Sequence, residues 1–350
     1  MDLRGLGFSD WFSEQSGGLL QPGQAVARVT AVDRDAFVVR DEQGETPAAL
    51  AGRFRYTVEA SPDLPCVGDW VCIERAGPEL AIIHAVLPRR SYLRRKAPGK
   101  TVDLQMIAAN IDTAFIVQSC QYDFNVRRLE RYLVVCREGG IEPVILLSKI
   151  DLANPFEIEG LVAAIRGMGI DAPVIPISTA TGDGLDPVRA LLAPGKTFCL
   201  IGSSGVGKST LINRLLGRDA LDTREVSGTG EGTHTTSRRQ LLVLDDGTLL
   251  IDTPGMRELG LLGASEGLDE SFADIREIAG TCRFADCGHD REPGCAIRAA
   301  IEDGSLSEAR YQGYLKLRKE AEYHDQSYVE KRRKDRAFGR HVKAIMKHKR

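Results

Sequence analysis

Apolar and polar positions fall into three successive rhythms along the chain. Between Ala25 and Leu87 the apolar residues come in short alternating runs, "AVARVTAV", "AFVVRD", "GRFRYTVE", "DWVCIE" and "LAIIHAVL". Gly44, Pro65, Gly68, Gly77 and Pro78 punctuate them. Short runs bounded by turn residues predict five strands closing into a small antiparallel barrel of OB type. From about Ile111 the pattern becomes strand–helix alternation. "TAFIVQS", "PVILLS", "PVIPIS" and "TFCLIG" read as strands, and "NVRRLERYLVVCREG", "FEIEGLVAAIRGMG", "GLDPVRALLA" and "GKSTLINRLLG" as the helices between them. "RQLLVLDD" and "TLLIDT" close the series across a tight "DDG" turn. Such a series predicts a mostly parallel, doubly wound α/β sheet, with ligands at its strand ends. Beyond about Gly263 the pattern is helical, broken by a Cys/His cluster.

Composition adds two constraints. With 350 residues, 43% hydrophobic and 27% charged, the chain has the makings of a multidomain soluble protein. No apolar run is long enough to cross a bilayer, and the N-terminus lacks a signal-peptide pattern, so the expectation is a cytoplasmic protein with no membrane partner. Cys66, Cys72, Cys120, Cys136 and Cys199 sit in apolar contexts and read as reduced packing residues. The net charge of −3 conceals a basic end: residues 331–350 hold ten Lys or Arg against one Asp, so this tail carries +9 and the rest of the chain −12. That asymmetry points to a polyanionic partner, against the plainer reading of a solubilising charge run. "RRSYLRRK" (89–96) is either a phosphate-facing, base-stacking segment or a charged linker.

The chemistry is concentrated in four places. "GSSGVGKST" satisfies the phosphate-loop pattern and follows a strand and opens a helix, which is its required context. Gly202, Ser203, Ser204, Gly205, Val206 and Gly207 would wrap phosphates with backbone N–H groups, together with Thr210 at the helix start. Lys208 would neutralise β- and γ-phosphate oxygens, and Ser209 would ligate Mg²⁺. In "LLIDTPG", Asp252 is the second Mg²⁺-holding candidate and Gly255 would offer its N–H to the γ-phosphate. Between them, "SGTGEGTHTTSRR" reads as a switch loop carrying a third Mg²⁺ candidate, Thr236 in preference to Thr235. Upstream, "SKID" (Ser148, Lys149, Ile150, Asp151) reads as a guanine corner. Asp151 would accept from guanine N1–H and N2–H₂ while the Lys149 stem packs on the base, and adenine would leave the carboxylate unpaired. Ser178, in "PISTATGDGLD", would touch the guanine O6 side through backbone and hydroxyl. The order base, base, phosphate, switch, Mg²⁺ is the usual order rotated. Finally, Cys282, Cys287, His289 and Cys295 form a complete tetrahedral set for one structural Zn²⁺, with clustered free thiols as the rival reading.

Taken together these strings resemble the circularly permuted ribosome small-subunit-dependent GTPase A family. The barrel, "IAANID" (107–112), "SKID", "GSSGVGKST", "THTT", "DTPG", the Cys/His cluster and "RKDRAFGR" (333–340) carry the resemblance over nearly the whole chain. It implies a multidomain α/β protein with an N-terminal OB-type β-barrel, a circularly permuted P-loop GTPase domain and a C-terminal helical zinc-binding domain. The expected boundaries are 1–24 for an N-terminal extension, 25–96 for an RNA-binding barrel, 97–264 for the GTPase domain, and 265–350 for the zinc domain with its basic tail. It also implies slow GTP hydrolysis stimulated by the small ribosomal subunit, late in the maturation of that subunit, with its rRNA as partner and a monomeric chain. The rivals are a P-loop ATPase or kinase, and an RNA-binding module that uses GTP without hydrolysing it. Three features depart from the pattern. Ser148 stands where Asn or Thr is usual, which is expected to loosen the tie between the guanine corner and the phosphate loop. Met256 occupies the position where many GTPases carry a water-orienting Gln, so the resemblance assigns that role to His234 of the "THTT" loop, an ordinary loop histidine being the alternative. Gly205 replaces the Asn of potassium-dependent relatives, so no potassium site is expected.

Overall fold

A computed structural model describes residues 2–33, 36–57, 61–77, 79–96, 104–121, 124–219, 221, 239–252 and 264–323. Strands β1 (Ala25–Asp33), β2 (Ala36–Asp41), β3 (Gly44–Leu50), β4 (Trp70–Arg75) and β5 (Ala81–Val86) run in the order β1-β2-β3-β5-β4. β4 then pairs back onto β1, which closes the barrel, and β3 lies parallel to β5. The closure leaves no free edge among these strands and buries Val29, Val39, Val71, Ile73 and Ile83 inside.

The third strand is not the one expected. "GRFRYTVE" reads as a strand because Phe54 and Tyr56 alternate with arginines, yet Gly52–Thr57 is a helix. Tyr56 is 84% exposed, and only Phe54 packs on the barrel core. The strand's place is taken by Gly44–Leu50, which returns on β2 across a tight turn in the register Asp41↔Gly44. Its inward residues, Thr46 and Ala48, are small, so a scan for large apolar residues passes over them.

Strands β6 (Tyr92–Lys96) and β7 (Leu104–Ala109) form a separate antiparallel pair. β8 (Thr113–Ser119), β9 (Glu142–Ser148), β10 (Val174–Pro176), β11 (Thr197–Ile201), β12 (Arg239–Val243) and β13 (Leu249–Asp252) make the second sheet. It runs β10-β9-β8-β11-β13-β12, parallel throughout except for β12. Alternate residues of β8 face opposite layers: Ala114 and Ile116 join one core cluster, Phe115 and Val117 the other. After the N-terminal α1 (Asp10–Ser16) and the barrel helix α2 (Gly52–Thr57), α3 (Val126–Glu138) and α4 (Pro155–Gly167) contribute to the first cluster, and α5 (Leu185–Leu191) and α6 (Lys208–Leu216) to the second. Chain order reverses between β8 and β11, so the crevice at their C-terminal ends is where a ligand belongs.

The two sheets are one hydrogen-bonded surface. β1 pairs antiparallel with β12 at Ala31↔Gln240 and Val32↔Arg239. Beside this seam Arg28, 1% exposed, donates to the carbonyls of Gly68, Leu6 and Asn110 and to Thr197 Oγ1. Burial lowers its pKa to about 10. "IAANID" forms the other half of the junction: Asn110 accepts from Arg90 N and donates to Gly68 O, and Asp112 accepts from Thr197 N.

Of the C-terminal helices α7 (Ser265–Ser271), α8 (Ala273–Ala279) and α9 (Ala296–Glu302), α7 packs on α3 and α8 packs on α7 and α9, while a further helix over 308–323 also reaches α3. Arg131 binds Glu320 through both carboxylate oxygens, and Glu138 accepts from Arg94 and from the Gly267 amide. Among the described residues no helix is long and apolar enough to cross a membrane.

Candidate functional site: a nucleotide crevice and a Cys/His cluster

The phosphate loop leaves β11 at Gly202 and enters α6 at Lys208. Gly202 has φ +146°, and a Cβ there would sit 2.2 Å from the Val117 carbonyl oxygen, so no other residue fits against β8. Gly205 and Gly207 also have positive φ. Lys208 Nζ turns back to the carbonyls of Gly202 and Ser203 at 2.8 and 2.5 Å, which places its ammonium inside the loop. Ser203 and Val206 are buried, Ser204 is half-buried, and Ser209 and Thr210 occupy the first turn of α6.

Asp252 ends β13 and is 5% exposed. Burial raises its carboxyl pKa, against the nearby Lys208 ammonium, which lowers it. A buried carboxylate beside the loop lysine is the electrostatic setting a Mg²⁺–phosphate group would relieve.

The "SKID" corner follows β9. Lys149 takes a left-handed conformation, φ +63°, and the chain then makes a single 3₁₀ turn over Ile150–Leu152. Ile150 N donates to Ile177 O at 3.3 Å. Ser178 is fully buried; its hydroxyl donates to Asp151 Oδ1 at 2.5 Å and accepts from the amides of Ala180 and Thr181. Its one proton is therefore engaged with Asp151, and the hydroxyl orients that carboxylate. Ser148 does not loosen the corner as its short side chain suggested. Its Oγ donates to the Val206 carbonyl at 2.7 Å and lies 3.3 Å from Gln118 O.

Several contacts were not foreseen. Arg214 of α6 donates through Nε to Thr179 O at 2.9 Å, joining the phosphate helix to the loop that holds Ser178. Cys120, expected to be packing, is half-buried, and its thiol donates to Lys149 O at 2.9 Å. Neither has a motif that marks it, since each acts on a backbone carbonyl distant in sequence. In "RRSYLRRK", Arg89 is bound to buried Asp69 through two nitrogens, Arg90 pairs with Asp112, and Arg94 pairs with Glu138. Those three charges are engaged with carboxylates of the chain itself. His234, Thr235, Thr236, Gly255, Met256 and the basic tail lie outside the described residues.

Cys282, Cys287, His289 and Cys295 present ligand atoms that all lie within 4.8 Å of one another. His289 Nδ1 is 3.5 Å from both Cys282 Sγ and Cys295 Sγ. Ligands about 2.0–2.3 Å from one tetrahedral ion span comparable edges, so the group has the size and the donor set to hold a metal. The local chain is shaped to this end: His289 has φ +61°, the Ala296 amide donates to Cys282 Sγ, and Cys295 caps α9. The carboxylate of Glu292 gathers the amides of Gly288, Asp290 and Arg291, and backbone N–H groups hold its pKa below the ordinary carboxylate range.

Residues 86–262, carrying the guanine corner, phosphate loop and Asp252, match the family model described as RsgA GTPase. The chain belongs to the RsgA GTPase family. It is accordingly a GTP hydrolase, with the permuted order read from its motifs. A small ribosomal subunit biogenesis GTPase RsgA from Opitutus terrae is 43% identical over 338 residues, covering 92% of this chain and 90% of the relative. The protein of the same name, RsgA 2, from Lactiplantibacillus plantarum is 42% identical over 320 residues, covering 91% and 90%. Among solved structures, YjeQ from Thermotoga maritima superposes with a TM-score of 0.61 at 26% identity, covering 84% of this chain and 97% of that one. YloQ, described as a circularly permuted GTPase, gives 0.60 at 27%, covering 86% and 96%.

Proposed function

We propose that this RsgA-family GTPase hydrolyses GTP to GDP and phosphate on the small ribosomal subunit, as a factor in the late maturation of that subunit. The observation that carries the nucleotide choice is the Ser178–Asp151 bond at 2.5 Å, in a corner joined to the phosphate loop through Ser148. It orients the Asp151 carboxylate in a corner bonded to the phosphate loop, which supports reading that carboxylate as the guanine acceptor. Lys149 and Asp151 select the base, and the loop 202–210 with Lys208 grips the phosphates. Ser209, Thr236 and Asp252 hold Mg²⁺, and Gly255 contacts the γ-phosphate. His234 positions the attacking water, because the Met256 thioether has no hydrogen-bonding capacity suited to that task.

One Zn²⁺ on Cys282, Cys287, His289 and Cys295 ties the C-terminal helices together and plays no part in the chemistry. The barrel (25–96), the zinc domain (265–350) and the +9 tail grip rRNA, flanking a GTPase domain over 97–264. The chain works as a cytoplasmic monomer without a membrane partner. Because β12 leaves the switch segment and pairs with barrel strand β1, nucleotide state reaches the barrel through one ladder. The segment after Asp252 leads toward the zinc-bearing helices in the same way.

GTP and ATP turnover with and without purified small subunits, at fixed salt because phosphate contacts are salt-dependent, tests the proposal. GTP-selective turnover that rises with subunits is expected. Equal use of ATP would favour a general P-loop enzyme, and a rate indifferent to subunits would favour an RNA-docking module that holds GTP as a ligand.

A further inference from the structure

The guanine corner is held from outside by two adjacent residues that no nucleotide motif contains. Segment 148–152 offers its carbonyls to the β8–α3 loop: Ser148 O accepts from Cys120 N at 3.0 Å, Lys149 O from Cys120 Sγ at 2.9 Å, and Leu152 O from Gln121 Nε2 at 2.9 Å. Gln121 is itself anchored, its amide donating to Ser119 Oγ. Three carbonyls of the base-reading segment thus end on one dipeptide. They bracket Lys149, whose positive φ is uncommon for a residue with a Cβ and persists only when its surroundings enforce it. Burial, in the first place, holds the Cys120 thiol above its ordinary pKa, so it remains an S–H donor at neutral pH.

We infer that Cys120 and Gln121 are positioning residues for guanine selection, holding Lys149 in its left-handed conformation so that the Lys149 stem and the Asp151 carboxylate keep the spacing of one purine. The inference rests on the proposed reading of Asp151 as the guanine acceptor. Both residues act on backbone carbonyls of the corner. Their effect is on the corner's pre-organisation, which sets affinity and base discrimination and leaves the hydrolytic step alone.

The test is steady-state turnover of GTP, ITP and ATP by the full-length protein with small subunits present. ITP lacks the exocyclic amine and so reports one of the two hydrogen bonds to Asp151. Cys120→Ala combined with Gln121→Glu, which keeps the side-chain size but removes the donor, is expected to raise KM for GTP by about tenfold while kcat changes by less than about twofold. The preference for GTP over ITP should shrink with it. Cys120→Ser in place of Cys120→Ala should recover much of the loss, since a hydroxyl can donate to Lys149 O. A merely structural residue would move melting temperature without changing the GTP-to-ITP ratio. Should the double variant not fold, Gln121→Glu alone carries the same readout. An unchanged KM and ratio in a folded variant, or a serine no better than alanine, overturns the clamp alone. A wild-type protein that does not distinguish GTP from ITP and ATP overturns the reading of Asp151 and the clamp together.

Discussion

Ser148 Oγ donates to the Val206 carbonyl at 2.7 Å, so the residue that follows the strand core of β9 bonds directly to the middle of the phosphate loop. A serine reaches because Ser148 is itself buried against β8, at 3% exposure, with Gln118 O on its other side. Ser148→Ala removes the bond and leaves a buried acceptor poorly paired, at a cost of about 1–3 kcal/mol. The corner and the loop then move independently, so affinity for GTP and GDP should fall together, by about tenfold or more. Fluorescent-nucleotide titration checks this, and the preference for guanine over adenine should survive.

On the proposed reading, Asp151 governs that preference. Asp151→Asn replaces one acceptor oxygen by an amide donor, which faces the guanine N1–H and N2–H₂ donors with a donor of its own. GTP affinity should fall by about a hundredfold, while xanthosine triphosphate, with a carbonyl in place of the 2-amine, should gain in relative terms. Competition between the two nucleotides for the variant reads the switch. If GTP binding is unaltered, Asp151 does not read the base.

How much of this was legible in the sequence depends on whether a residue acts through its neighbours or across the fold. The α/β elements could be read because β8, β9 and β11 are buried on both faces and spell continuous apolar runs, and because Asn125 and Asn154 cap α3 and α4 with their own side chains. The glycines of the phosphate loop were equally plain, since Gly202 meets Val117 O wherever that loop follows such a strand. The barrel's third strand was not legible, because Thr46 and Ala48 bury too little apolar surface to advertise themselves. Ser148's partner, the Cys120–Gln121 clamp and Arg214 were hidden for another reason. Each bonds a backbone carbonyl, and a carbonyl leaves no residue identity to recognise.

Asp252 supplies a pH dependence whose sign follows from its burial. Its folded-state pKa lies above the unfolded value, so the folded protein holds that proton more tightly. The contribution of Asp252 to stability in the nucleotide-free protein is therefore most favourable below the ordinary carboxylate range and declines as pH rises through the raised pKa, where the buried charge forms. Asp252→Asn removes the charge without changing the shape. The variant should melt a few degrees higher than wild type at neutral pH, and the two should converge in acid. It should also lose GTP turnover, because a neutral amide holds Mg²⁺ poorly. Calorimetry across pH together with a turnover assay separates the two effects.

The Cys/His cluster predicts one zinc per chain by metal analysis. Cys287→Ser should release it, and so should a strong chelator. Structural zinc contributes folding free energy directly, with apparent values of about 10–16 kcal/mol in small zinc-dependent peptides. Its removal should expose residues 264–323 to proteolysis while the GTPase sheet stays protected. Full retention of compact C-terminal helices without metal would mean the four residues are packing thiols and a loop histidine.

Arg310 joins those helices to α3 and to the end of α4. Its guanidinium, 6% exposed, binds both oxygens of Asp274 at 2.7 and 2.8 Å, donates to Ser271 O and Met168 O, and lies 3.9 Å from Glu130 of α3. It also stacks 4.7 Å from the Phe272 ring centre. Glu130 is the vulnerable partner: burial raises its pKa, and Arg127 and Arg310 oppose that rise. Arg310→Met keeps the stem but removes both bonds to half-exposed Asp274 and leaves buried Glu130 with Arg127 as its cationic partner, so the loss should be about 1–3 kcal/mol, below that of a fully buried pair. The melt should split into an early C-terminal transition and a later one for the sheet. Arg310→Lys should rescue little, because one ammonium cannot serve the Asp274 fork and two carbonyls in the same plane. A single unshifted transition in Arg310→Met would show that the apolar contacts of Leu268, Phe272 and Leu317 hold the helices on α3 without the ion pair.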